Sequence, residues 1–159
     1  MNKTLCVYYS RSGLTKQIAQ QISEKTGADL VEIKTDDKYE GFIGYLYACV
    51  VALSKKMPKL SYSADVDFEE YNKIIVLAPV WVEDACPAAK AFLQDNKDNL
   101  SGDVYFVLTH MSPVVYEKQI ANLGKLLGKD FASYLSVQTR NHDWTEEVEQ
   151  FVEKINYKI

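Results

Sequence analysis

The sequence predicts an α/β domain, a parallel sheet covered by helices on both faces. Five short apolar runs are each followed by a segment with helical periodicity, and regular alternation of this kind builds a parallel sheet. All but the second run lack strict alternation, as strands buried on both sides do. The segments just after the first, third and fourth runs are the least apolar stretches beside the most apolar ones, which marks them as loops at one end of the sheet.

The elements follow in order. Thr4–Tyr9 (TLCVYY) reads as a buried strand, and Leu14, Ile18, Ala19 and Ile22 then recur at helical spacing up to Thr26–Gly27. Asp29–Lys34 alternates and reads as the second strand. A helix is expected from about Tyr39 to Lys56, stopped by Pro58, with Ile43, Leu46, Val50 and Leu53 forming an amphipathic stripe. Ser61–Asn72 is polar and reads as the longest irregular connection. Lys73–Ala78 (KIIVLA) is the third strand and Pro79–Ala85 a loop. Pro87 suits the first turn of a helix reaching Asn96. Val104–Thr109 is the fourth strand, His110–Pro113 a loop, and Ile120, Leu123 and Leu127 share one face of the next helix. Phe131–Gln138 is the fifth strand. The last helix carries Val148, Phe151, Val152 and Ile155, and Asp143 with Glu146 resembles a capping box at its start.

Length and composition bound the function. At 159 residues, 47% hydrophobic and 25% charged, the chain reads as a single domain over residues 1–159. A formal net charge of −4 speaks against general nucleic-acid binding. Cys6, Cys49 and Cys86 are too far apart for a zinc site or a disulfide framework, so no metal is expected and a reducing cytoplasm suits the chain. The longest uncharged run, Gly41 to Ser54, is shorter than the ~18 residues of a membrane span.

In a sheet of this type ligands bind beyond the carboxyl ends of the strands. The first such corner reads Ser10-Arg11-Ser12-Gly13-Leu14-Thr15: three hydroxyls around one glycine, where a helix begins. Helix N-termini present unpaired N–H groups and the positive end of a dipole, so the corner suits an anion. Neither the nucleoside-triphosphate pattern G-x-x-x-x-G-K-[ST] nor G-x-G-x-x-G is present. A single terminal phosphate held by neutral donors fits best; the alternative is an ordinary serine-capped helix. At the third strand, Trp81 offers a flat apolar face at a strand's carboxyl end, where stacking on a ligand competes with plain packing.

The stretch YYSRSGLTKQIA resembles the phosphate loop of flavodoxins, [ST]-x-[ST]-G-x-[ST] between the first strand and helix, and YNKIIVLAPVWVEDACPAAKAFL resembles the third strand, flavin loop and following helix of bacterial flavodoxin-like proteins with Pro-x-Trp. The likeness spans nearly the whole chain. It implies a five-stranded, doubly wound, three-layer α/β/α sheet in order 2-1-3-4-5 that binds FMN non-covalently. Carried over by position, Ser10, Arg11, Ser12, Gly13, Leu14 and Thr15 would wrap the phosphate, with the Arg11 side chain outward. Pro79, Val80 and Trp81 would line one side of the flavin ring, and Thr109, His110, Met111 and Ser112 the other, with Tyr116 a candidate cover.

Two departures are visible. The glycine that commonly follows the loop aromatic is replaced by Val82, for which positive φ carries a steric cost, so weak support for one-electron-reduced flavin is expected. His110 and Met111 are bulky for a flavin slot, and Glu83 and Asp84 would bring negative charge beside the ring. The resemblance implies electron transfer to redox partner proteins or to a small quinone-like acceptor. The alternatives are an NAD(P)H:quinone-type reductase and a domain that keeps the fold with weak flavin binding. A phosphatase is a near miss, because Cys6 and Arg11 are spaced C-x4-R and not C-x5-R.

Overall fold

The computed structural model describes residues 2–36 and 39–157. In chain order the elements are β1 (Thr4–Tyr8), α1 (Leu14–Thr26), β2 (Asp29–Thr35), α2 (Gly41–Leu53), β3 (Leu60–Tyr62), a single 3-10 turn (Phe68–Glu70), β4 (Lys73–Trp81), β5 (Asp84–Ala85), α3 (Pro87–Asn96), β6 (Asp103–His110), α4 (Glu117–Leu127), β7 (Ser133–Gln138) and α5 (Thr145–Tyr157). The parallel strands lie in the order β2-β1-β4-β6-β7. Counted as the five long strands, this is the expected 2-1-3-4-5.

Alternate residues of each strand feed opposite faces, as a pleated strand requires. Along β4, Ile74 and Val76 join Phe92 and Leu93 of α3 and Ile120 and Leu123 of α4. Ile75 and Leu77 point the other way, to Ile18 and Ile22 of α1 and Phe151 of α5. Burial on both faces explains why KIIVLA shows no polar alternation.

Two short strands were not expected. β3 pairs antiparallel with the outer edge of β2, Ile33 opposite Tyr62. It straddles the start of the segment read as irregular, because Leu60 and Tyr62 reach the core while Ser61 faces water. β4 continues past Ala78 to Trp81 and turns back as β5, with Val80 opposite Ala85 and Trp81 opposite Asp84. The stretch Pro79–Ala85 is therefore a hairpin and not a loop. Its two turn residues, Val82 and Glu83, both have positive φ, 49° and 62°, the backbone of a type I′ turn.

α2 differs from expectation in orientation. Its buried residues are Gly44, Ala48 and Val51, whereas Ile43, Leu46, Val50 and Leu53 face solvent. The small residues let the helix approach closely: a methyl group on Gly44 would meet the Tyr39 backbone carbonyl. At α5, the Asp143 carboxylate accepts from the Thr145 N–H (3.0 Å) and Glu146 accepts from Gln150, so the start is a local turn and not the reciprocal capping box. No helix among the described residues is long and apolar enough to cross a membrane.

The chain leaves β1 for β2 on one side and reaches β4 on the other. The carboxyl ends of β1 and β4, with β6 beside them, therefore flank the crevice where strand order reverses.

Candidate functional site

The corner after β1 is built to leave its amides open. α1 is capped by Gly13 in the left-handed region (φ +94°), with no side-chain cap and no acid in its first turn. The Ser10 hydroxyl accepts the Gly13 N–H (3.0 Å) and closes the bend. The first helical bond runs from the Gln17 N–H to the Gly13 carbonyl (3.1 Å). The amides of Leu14, Thr15 and Lys16 therefore lie ahead of that bond, at the positive end of the helix dipole. An ordinary serine-capped helix would have spent a hydroxyl on one of them; this one does not.

The three hydroxyls divide the work. Ser10 shapes the bend and Ser12 stands exposed at its mouth. Thr15 is buried, and its hydroxyl bonds the Thr109 hydroxyl at 2.8 Å, tying α1 to the end of β6. One hydroxyl of that pair must donate to the other, which leaves the acceptor's own hydrogen to donate elsewhere. Arg11 is exposed but not loose: its guanidinium donates to the Tyr39 carbonyl (3.4 Å) and lies 5.3 Å from the centre of the Tyr45 ring.

Arg11, Ser12 and Thr15 form one side of a cleft, and Pro79, Val80, Trp81 and Val82 form another. Met111 contributes from the loop after β6, and Tyr45, Ala48 and Cys49 contribute from α2. Trp81 is held edge-on by Tyr9 (5.7 Å between centroids) and Tyr39 (5.1 Å), arrangements that aromatic quadrupoles favour. The cleft encloses about 150 Å³, less than the ~300–1,000 Å³ of ordinary ligand pockets, so a ligand anchored at the corner would project beyond it. A larger recess of about 300 Å³ lies behind the hairpin, among Lys55, Lys56, Lys90 and Leu123, but the hydroxyl corner does not reach it.

The turn at Val82 holds a conformation that costs an L-residue roughly 1–2 kcal/mol. The hairpin pairing helps to hold it, as do the Asp84 carboxylate accepting the Ala85 N–H (2.8 Å) and Gln119 donating to the Glu83 carbonyl (3.0 Å). Asp84 also forms an ion pair with Lys90. The acidic pair foreseen beside the ring is therefore half neutralised, and Val82 already occupies the positive φ that its side chain disfavours.

The third loop divides. Thr109 joins the corner through Thr15, and Met111 lines the cleft. His110 is turned away: it is buried, packs on Tyr116 (4.8 Å) and bridges the Ser112 carbonyl (2.7 Å) and the Ser136 hydroxyl (2.9 Å). A carbonyl only accepts, so Nδ1 carries the proton and Nε2 accepts from Ser136. Burial lowers the His110 pKa, against the raising effects of the Ser112 carbonyl and the Glu147 carboxylate. Neither His110 nor Ser112 is part of the cleft wall. Tyr116 is buried in the core and covers nothing. Leu14 projects outward from the start of α1.

The phosphatase alternative loses its nucleophile. Cys6 is fully buried, burial raises its thiol pKa far above the ordinary value, and the thiol points at the Ala19 carbonyl. Cys86 at the start of α3 is likewise pushed up to about 12 by burial. Among the described residues no three metal-ligating side chains converge.

The contribution of α2 to the cleft went unread in the sequence, as did the bracing of Trp81 by Tyr9 and Tyr39. The signal available was the helix itself: thirteen residues without a charge have apolar side chains to spare beyond one buried face.

Comparison with known proteins bears on the fold and the family. Among solved structures, a flavoprotein in complex with FMN from Lactobacillus acidophilus NCFM superposes with a TM-score of 0.70 at 22% identity, covering 86% of this chain and 93% of that one. A proposed flavoprotein from Bacteroides eggerthii DSM 20697 gives 0.76 at 17% identity, covering 99% and 100%. The flavodoxin, WrbA-like protein from Agrobacterium tumefaciens gives 0.55 at 13%, covering 98% and 92%. At these identities the likeness concerns the fold. No curated protein sequence matches the chain. The model of the flavodoxin family matches residues 3–154, and the chain belongs to that family.

Proposed function

We propose that the chain binds FMN non-covalently, with the phosphate at the Ser10–Thr15 corner, and serves as an electron carrier. The observation that carries the reading is the start of α1: a glycine cap, no side-chain cap and no acid, opening onto a cleft walled by Trp81. The Ser12 hydroxyl and the Leu14, Thr15 and Lys16 amides are the donors for the phosphate. The Thr15–Thr109 pair holds the corner against β6 and supplies one further donor. Pro79, Val80, Trp81 and Met111 provide an apolar wall that keeps water from a flat ring, and Trp81 is fixed by its two tyrosines. Bound FMN would supply the redox chemistry.

The exposed rim of the cleft favours a carrier over a turnover reductase: Val82 and Met111 are exposed and apolar, a surface suited to brief contact with a redox partner. The fold-level relative from Lactobacillus acidophilus was solved with FMN, which supports the choice of cofactor.

The test is a titration with FMN and with riboflavin, followed by quenching of flavin fluorescence. FMN is expected to bind at least ~100-fold tighter, since each hydrogen bond to a charged group contributes ~1.5–3 kcal/mol and riboflavin lacks the phosphate. Equal affinities would remove the phosphate corner from the account. Sustained NAD(P)H oxidation with a quinone, without a partner reductase, would make the protein an enzyme and not a carrier.

A further inference from the structure

α2 presents a second apolar face that the fold does not use. Phe42 is 76% exposed, Ile43 82%, Leu46 49%, Val50 62% and Leu53 68%, and no charged residue lies between Gly41 and Ser54. With Tyr45 and Tyr47 also part-exposed, the patch is on the order of 700 Å², taking ~200 Å² for a whole aromatic side chain. Ordinary monomers expose patches of ~300–600 Å² at most, and a standard interface takes ~800 Å² from each partner. Ile43, Leu46, Val50 and Leu53 sit at i, i+3, i+7 and i+10, the spacing of a helix–helix seam.

The charges that bound this seam are opposite at its two ends. Exposed Glu40 caps the amino end, after exposed Asp36. Lys55, Lys56 and Lys59 follow the carboxyl end, all exposed. We propose that α2 is a homodimer interface, in which the helices of two copies pair antiparallel across a two-fold axis at the level of residue 48. Each copy then offers the same patch to the other, as a closed two-fold contact requires. Ile43 faces Leu53, Leu46 faces Val50, and Glu40 lies opposite Lys56 and next to Lys55 of the second copy. A parallel pairing would set acid against acid and lysine against lysine. The self-complementary charge pattern selects a second copy over a lipid surface, for which an acidic end is unfavourable. The proposal does not require bound FMN, although Tyr45 belongs both to the patch and to the cleft wall.

Sedimentation equilibrium of the full chain tests it. Tens of micromolar protein is expected to give twice the 18.1 kDa chain mass. Val50→Glu, and separately Ile43→Glu, should each weaken association at least ~100-fold, the effect of truncating or charging a central apolar contact. Both positions face solvent in the single chain, so far-UV circular dichroism should be unchanged. Glu40→Lys alone should weaken the dimer ~5-fold by placing like charges together, and adding Lys55→Glu should restore it. A mass of 18.1 kDa at every concentration, or a charge-swapped double variant as weak as the single one, would overturn the proposal. So would monomers that co-sediment with phosphatidylcholine vesicles, which would make a bilayer the occupant.

Discussion

The Thr15–Thr109 pair allows the structural and binding roles of the corner to be separated. Both hydroxyls are buried and bond each other at 2.8 Å. Thr15→Val keeps the shape of the side chain and strands the Thr109 hydroxyl, and an unsatisfied buried hydroxyl costs ~1–3 kcal/mol. In a domain of this size that lowers the melting temperature of the cofactor-free protein by about 2–12 °C. Replacing both partners by valine removes the stranded group, so Thr15→Val with Thr109→Val should recover most of the lost stability. FMN affinity should not recover, because the donor that the pair extends to the phosphate is gone; a loss of ~1.5–3 kcal/mol corresponds to ~10–150-fold in Kd. Thermal melts followed by circular dichroism, with FMN titrations of all four proteins, give the full cycle. Wild-type affinity in the double variant would refute the assignment of this pair to the phosphate. Stability that stays low in the double variant would refute the hydrogen-bond account of the single one.

The hairpin turn gives a second prediction. Val82→Gly relieves a β-branched residue at φ 49° and should raise the melting temperature by about 2–4 °C, the equivalent of ~1 kcal/mol; a lower value would mean that the side chain contributes more by packing than it costs in strain. His110 supplies the third. Its folded pKa is lowered by burial, so the unfolded chain binds the proton more readily. Stability should then fall as pH drops through the unfolded histidine value of ~6.5 and level off below the folded one. Melting temperatures between pH 5 and 8 should show this slope in the wild type and lose it in His110→Asn; an unchanged slope would assign the effect to another group.

The parallel strands and three of the five helix faces, those of α1, α4 and α5, were legible because their periodicity reports burial directly. KIIVLA shows no alternation because helices cover both faces of β4. The corner was legible too, since three hydroxyls and a glycine at a strand-to-helix junction are more than a cap needs. α2 was not, because both of its faces are apolar: periodicity picked out Ile43, Leu46, Val50 and Leu53, whereas close approach to Tyr39 required the small Gly44 and Ala48 on the buried side. The β4–β5 hairpin was hidden because Val82-Glu83 carries none of the Asn-Gly chemistry that marks such turns; pairing across the hairpin overrides local preference. His110 looked like a wall of the site from its position. Its orientation depends on Ser136 and Tyr116, which lie 26 and 6 positions away and approach it only through the register of β6 with β7 and the start of α4.

The short β3 strand has a consequence for how the molecule behaves in a crowd. A bare β2 margin would offer seven residues of unpaired backbone to any extended segment nearby, the route by which sheets polymerise into fibres. β3 occupies the carboxyl half of that margin, pairing with Ile33, Lys34 and Thr35, and ends after three residues, with Pro58 and Lys59 just before it as poor templates for a further strand. Over that half, strand addition meets a short and interrupted edge. A helix face related to itself by a dyad is satisfied by one twin and stops there.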